Sequence, residues 1–336
     1  MADIPSTASI RAIETPRARW TRRMQHGDRL FRGITLLFAL LVVGLVIAVG
    51  VVTFNGSALA RNQFGLSFLT GADWNPVDTE VSVATFGAWP AIRGTLLSSA
   101  IAVLLAGPVG VAIGIFLSEL CPFRIRGPLS FMVELLAAIP SVIYGLWGVA
   151  VFAPFFRDYI AEPISTAVGD FIPFLAGPVA VGRGIAVTGV ILGLMILPTI
   201  AAITRDVLAV VPNTQREVLL ALGATRWSVI ARSVVPYARA GIVGGVMLGL
   251  GRALGETIAA TMLIGNSQQI ESSIFAPGVT AASLVASELT NANSVLHESA
   301  LIEIALVLFG ITLVLNLLAR LLVWQVSRGP AGSGRL

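Results

Sequence analysis

Four stretches of this chain run for about 20 residues or more without a single charge: Gly33–Phe54, Gly94–Ser118, Leu135–Phe156 and Gly184–Thr204. At 1.5 Å per residue a helix of about 20 apolar residues covers the roughly 30 Å of hydrocarbon in a bilayer. Lipid offers the backbone no hydrogen bonds, so such segments must be helices or closed barrel strands, and runs of this length are helices. Two further stretches qualify if a few charges are tolerated: Ala240–Ile264, which contains Arg252 and Glu256, and Ser299–Trp324, which contains Glu303. The expected fold is therefore an all-α integral membrane domain of six spans. Hydrophobic residues at 56% and charged residues at 12% agree, since soluble domains carry about 25% charged residues.

The chain has no lysine, so its 22 basic residues are all arginine, and their placement sets the orientation through the positive-inside rule. A polar tail over residues 1–31 is rich in arginine and leads into the membrane domain, 32–326, which a short tail, 327–336, follows. Putting the first tail in the cytoplasm also puts Arg124, Arg126, Arg205, Arg216, Arg226, Arg232, Arg239, Arg320, Arg328 and Arg335 there. Only Arg61, Arg93, Arg157 and Arg183 fall outside, and Arg252 lies within a span. Both termini are then cytoplasmic, in a multi-pass protein of a bacterial plasma membrane. The net charge of +4 follows that boundary, which suits anionic lipid and argues against nucleic acid. The segment Ile10–Arg32 suits either an amphipathic surface helix or a mobile tail. One cysteine, Cys121, and two histidines, His26 and His297, leave no material for a disulfide or a metal cluster.

Proline punctuates the rest. Pro122 and Pro128 end helix around an inner turn at Glu119–Gly127, whereas Pro108, Pro140 and Pro198 invite kinks inside spans. The outer segment Asn55–Arg93 carries Asp73, Asp78 and Glu80, and its Trp74, Phe86 and Trp89 suit an interfacial belt. A second outer segment, Arg157–Arg183, has Pro163, Pro173 and Pro178 and reads as irregular. The last, Gly265–Glu298, is polar and holds a short helix over Thr280–Leu289, either a contact surface or a connecting loop. Glu134 and Glu303 lie near span ends, within reach of water or a partner. Tyr144 and Trp147 read as packing residues.

Between the fourth and fifth spans lies TQREVLLALGATRWSVIARSVVP, from Thr214 to Pro236. Thr214 and Glu217 have the spacing of a capping box, Val218, Leu219, Ala221 and Leu222 give an apolar face, and Gly223 suits a left-handed C-terminal cap. A second helix is expected from Thr225, with Trp227, Ile230 and Val234 on one side, ending at Pro236. Two short helices joined at glycine make a knob within the inner loop 205–236. On these residues alone it either docks a partner or lies on the bilayer with its arginines among headgroups.

Arg252 and Glu256 lie four apart, which puts them on one face of a fifth helix. Each alone costs about 3 kcal/mol at mid-membrane on insertion scales, and such residues face a bundle interior or a wet path. Gly244, Gly245, Gly249, Gly251 and Gly255 permit close approach to this helix. A guanidinium matches a tetrahedral oxyanion in a bidentate way, and a neighbouring carboxylate accepts a hydrogen bond only from an oxyanion that keeps a proton. That asymmetry favours phosphate over sulfate. The competing reading is a self-neutralising pair that only joins helices. An intramembrane enzyme is disfavoured, since His297-Glu298 lacks the second histidine of a zinc motif. A secondary transporter or channel would need no docking element, and uptake that survived deletion of 214–236 would favour it.

Glu217, Gly223 and Pro236 fall at the spacing of EAA---G---------I-LP, the signature of permease subunits in ATP-binding-cassette importers, with Val218, Leu219, Ser233 and Val235 departing from it. GRALGETIAATMLIGN from Gly251, ELLAAIPSVIYGLWG from Glu134, and FGAWPAIRGTLLSSAIAVLLAGPVGVAIGIFLSEL from Phe86 resemble the PstC-type permeases of the phosphate-specific group over roughly Phe86–Trp324. Sulfate and molybdate permeases share a related run but usually continue with Phe, so Thr257 points to phosphate, with sulfate, molybdate or phosphonate as alternatives. The resemblance implies a type I importer permease with no catalytic or metal site. It implies a substrate path at Arg252, Glu256 and Thr257, and a contact to an ATPase at Glu217, Leu222, Gly223, Ala224 and Pro236. It further implies a heterodimer with a PstA-type permease, a PstB-type ATPase dimer that uses Mg-ATP, and a PstS-type phosphate-binding protein outside. The chain itself lacks the lysine that a P-loop requires.

Overall fold

The computed structural model describes residues 16–77, 84–177 and 182–328. Asp78, Glu80, Pro178, Arg335, residues 1–15 and most of the terminal segment lie outside them, so the tail readings apply only in part. The chain divides into two units, Met1–Val52 and Thr53–Leu336. Helix α1, Pro16–Gly56, supplies the described residues of the first, and its stretch Leu30–Gly56 has a mean hydropathy of 3.0, ample for a span.

In the second unit, α2 (Ala58–Phe64) leads to a two-residue antiparallel ladder that pairs Trp74 with Phe86 and Asn75 with Thr85. Helix α3 runs Trp89–Leu120 and closes in a wide π-helical turn over Phe116–Leu120. Pro122 then starts α4, Phe123–Ala138. The inner turn is thus only Cys121–Pro122, and Pro128 sits inside a helix near its start, where proline is tolerated. Pro108 and Pro198 also lie inside helices that continue past them. Pro140 does not. Helix α5, Ser141–Val168, leaves α4 at a bend of 85°, so the expected third span is a broken pair. Helix also persists to Val168, well into the segment expected to be irregular.

Helix α6, Ile185–Ala209, is the hub, with 72% of its spanning window buried. Small residues let α3 close on it: a Cβ at Gly110 would meet Ile200 at 2.9 Å, one at Gly114 would meet Thr204 at 2.5 Å, and one at Gly189 on α6 would meet Ile101 at 2.7 Å. Such approach is how helices associate where lipid removes the hydrophobic drive. Helix α7, Asn213–Ala221, and helix α8, Arg226–Leu254, follow. On α8, Gly241, Gly245 and Gly249 recur every four residues and receive Val207, Ile203 and Ile200 of α6. Of the other expected approach glycines, Gly244 and Gly251 face open space.

Helix α9, Ile258–Leu263, follows a three-residue break, and α10, Ala281–Glu288, precedes the long α11, Val295–Arg328. The helix expected over Thr280–Leu289 is present, with Thr280 and Ser283 forming a reciprocal cap. At this end Trp74 and Phe86 are buried core residues, against the expected interfacial exposure, while Trp89 stays exposed. Phe86 stacks on His297 at 5.4 Å, and Glu288 accepts from Trp74 Nε1 at 2.8 Å and Gln268 Nε2 at 2.6 Å and pairs with His297 Nε2 at 3.0 Å. His297 is thus a packing residue. Five continuous helices plus the bent pair give up to six spans, matching the expected count.

Candidate functional site

The knob differs from expectation in how it is made. Pro212, with φ −58°, fixes the entry to α7 two residues earlier than the proposed capping box, so Thr214 and Glu217 form no such box. The exit is as expected. Gly223 adopts φ +82°, its N–H donates to Leu220 O at 2.9 Å, and Ala224 N–H donates to Leu219 O at 3.0 Å, the paired bonds of a Schellman cap. Thr225 then caps α8 by accepting from Ser228 N–H at 3.3 Å. Pro236 terminates nothing. It falls at the second position of regular helix after a π-helical turn over Ile230–Val234, where the extra residue in the turn absorbs the missing donor. The second arm of the knob and the fifth span are therefore one helix.

A buried cluster of Leu208, Val211, Val229, Val234, Ala238 and Ile242 seats the knob, with Leu219 and Ala224 against it. Trp227, expected beside Ile230 and Val234, instead points outward at 65% exposure. Val218, Leu220 and Leu222 are exposed as well, Leu222 at 78%, and Glu217 stands among them on the exposed surface. An apolar tip with a carboxylate beside it suits insertion into a partner.

Sequence reasoning missed a second feature of the knob. Arg216 grips Glu119 at the end of α3 through Nη2 to Oε1 at 2.7 Å and Nε to Oε2 at 3.1 Å. It also donates to Leu208 O, Val211 O and Asn213 Oδ1 at 3.0, 2.6 and 3.2 Å. The partners lie 97 residues apart, a separation without local signal. Glu134, expected near water or a partner, pairs with Arg205 at 3.0 Å.

Within the membrane domain the reading of Arg252 and Glu256 needs correction. Helix α8 ends at Leu254, and Gly255 with φ −92° and ψ 0° takes Glu256 off its face. The two residues do not share a helix face, and among the described residues they form no ion pair. Arg252 is exposed and gives Nη1 to Thr199 Oγ1 of α6 at 3.3 Å. Glu256 turns to the next helix, where its Oε1 accepts from Ala259 N–H at 3.3 Å, and Thr257 Oγ1 donates to Gly255 O at 3.3 Å. Beyond these bonds the guanidinium of Arg252 keeps four N–H donors and Glu256 a second carboxylate oxygen, on either side of the span break.

Tyr144 and Trp147 line an apolar cavity of about 490 Å³ with Leu136, Ile139, Leu197 and Pro198, at the elbow of the bent pair. Tyr144 is tied there through its hydroxyl to Leu136 O at 3.0 Å. Glu303 lies two turns inside α11, 6% exposed, with Oε2 unpartnered, rather than at a span end.

The family model described as the inner membrane component of binding-protein-dependent transport systems matches residues 110–328. The chain is 43% identical to the phosphate transport system permease protein PstC of Mesorhizobium japonicum over 95% of its own length and 96% of that protein's. It is 41% identical to the protein of that name from Pasteurella multocida, over 92% and 96%, and 39% identical to PstC 1 of Mycobacterium tuberculosis, over 81% and 85%. An inward-facing structure of the MetNI methionine ABC transporter matches the fold with a TM-score of 0.52 at 18% identity, over 71% of this chain and 97% of that one. With the family model, near-full-length relatives and the span pattern in agreement, this chain belongs to the binding-protein-dependent inner-membrane permeases of ABC transporters.

Proposed function

We propose that the chain is the PstC-type permease subunit of an ATP-driven importer, carrying inorganic phosphate from the extracytoplasmic side to the cytoplasm. The names of its near-full-length relatives support the cargo. The observation that carries the mechanism is the unbroken helix from the knob at Arg226 to Arg252 and Leu254.

In this reading the knob lies in the cytoplasm with both termini. Its tip, formed by Glu217, Leu222, Gly223 and Ala224, inserts into a groove of a separate ATPase dimer that uses Mg-ATP. Pro236 lies further back on the rod that leads away from the tip. A similar second permease completes the path, and an external binding protein delivers phosphate. Arg252 offers its remaining donors to the phosphate oxygens, Thr199 holds the guanidinium in place, and Glu256, beside Thr257, accepts a hydrogen bond from the hydroxyl that hydrogen phosphate retains. Preference for phosphate over sulfate follows from that acceptor, since a fully ionised oxyanion meets only repulsion there.

The test is reconstitution of the four-component transporter in vesicles with labelled phosphate. Arg252→Gln should assemble normally and lose phosphate uptake by at least about ten-fold, the equivalent of 1.4 kcal/mol. Normal uptake by the assembled variant would remove Arg252 from the path. Uptake driven by a proton gradient without ATP would remove the importer reading altogether.

A further inference from the structure

The Arg216–Glu119 pair occupies a corner where four elements meet. Glu119 lies in the π-helical turn that ends α3. Arg216 comes from the first turn of α7 and takes the carbonyls of Leu208, at the end of α6, and Val211, just beyond it. The fourth element arrives through Arg126 of α4, whose Nη2 donates to Ser118 O at 2.8 Å and Cys121 O at 3.4 Å, on either side of Glu119. The pair is largely enclosed, with side-chain exposures of 20% for Arg216 and 9% for Glu119. A cavity of about 190 Å³ opens beside it toward Leu220, Arg226 and Ile230.

The apolar cluster around Leu208 and Val234 ties the knob to α6 and α8 and touches α3 through Val111 and Ile115, and Ser233 Oγ donates to Gln215 O at 3.2 Å. Among the described residues, the polar bonds from α7 to the end of α3 are those of Arg216. From α7, α8 leads directly to Arg252. Beyond the bend from α4 stands α5, and α4 is fastened to the corner by Arg126. We propose that the Arg216–Glu119 pair is a coupling latch, a positioning contact that makes α3 and α4 move with the knob and with the rod that carries Arg252. This rests on the coupling reading above. A bidentate guanidinium–carboxylate pair resists shear in a way a single contact does not, and enclosure limits screening by salt.

Arg216→Gln and Glu119→Gln in the complete vesicle-reconstituted transporter should assemble and hydrolyse ATP, while phosphate moved per ATP falls by about ten-fold. In a Cys121→Ser background, Glu119→Cys with Arg216→Cys should be equally uncoupled until a short bis-maleimide bridges the two thiols, which should restore the ratio. Unchanged phosphate per ATP in the Gln variants would overturn the latch. So would their failure to assemble, which would make the pair only structural, or a bridged pair that stays uncoupled. If the unmodified complex moves no phosphate, the cargo reading fails by itself. The latch is then judged by stimulation of the ATPase by the binding protein, which the Gln variants should lose.

Discussion

A guanidinium inside a membrane domain must find partners for five N–H donors, and Arg252 gives one of them to Thr199. That bond fixes the plane of the group, so Thr199→Val should leave folding intact and loosen the aim of Arg252. A lost hydrogen bond of this kind is worth about 1 kcal/mol, which predicts a rise in KM for phosphate of roughly five-fold with kcat little changed. Initial uptake rates over a phosphate series will read it. Thr199 has a weak signal in sequence, a threonine after Pro198 in an otherwise apolar run. Tyr144 has less, because its neighbourhood depends on a bend between α4 and α5. At the same scale, Gly223 holds φ +82° with open space where a Cβ would stand, so Gly223→Ala strains the backbone alone. The cost of about 1 kcal/mol should appear as weaker ATPase association, measured by co-purification, while the spans stay folded.

Among the elements, the hydrophobic runs gave span number well because uncharged length is a property of each segment alone. Where a span is interrupted was harder to read. Pro108, Pro140 and Pro198 have similar surroundings in sequence, yet only Pro140 marks a break, since Pro108 and Pro198 lie in α3 and α6, which are pressed against each other. Gly255 gave no warning that Arg252 and Glu256 part, because a glycine-rich helix and a glycine-ended helix read alike. Pro236 misled in the opposite direction: a π-helical turn before it lets the helix continue, and that turn has no compositional mark. The packing glycines of α8 make a prediction of their own. Gly249→Val would bring a Cβ within 3.0 Å of Ile200, and overpacking of this sort costs about 1 to 3 kcal/mol. Its thermal midpoint in detergent should fall clearly, whereas Gly244→Ala, in open space, should shift it little.

For the whole molecule, the three-residue gap after Leu254 divides the site between two supports. Arg252 rides on the rod that starts at the knob. Glu256 and Thr257 open α9, which is pinned at its far end where Gly184 N–H donates to Leu263 O at 3.0 Å and Gly278 N–H donates to Ile264 O at 2.9 Å. In an unbroken helix the spacing of these side chains would be constant. The break instead leaves that spacing free to change if the rod moves along its axis. Thermodynamic linkage then makes the effect reciprocal: if the ATPase alters the affinity of the gap for an anion, an anion in the gap alters the affinity of the knob for the ATPase by the same factor. A cargo ion held at the break would thus report its own presence to the motor, through the free energy it takes to change that one distance.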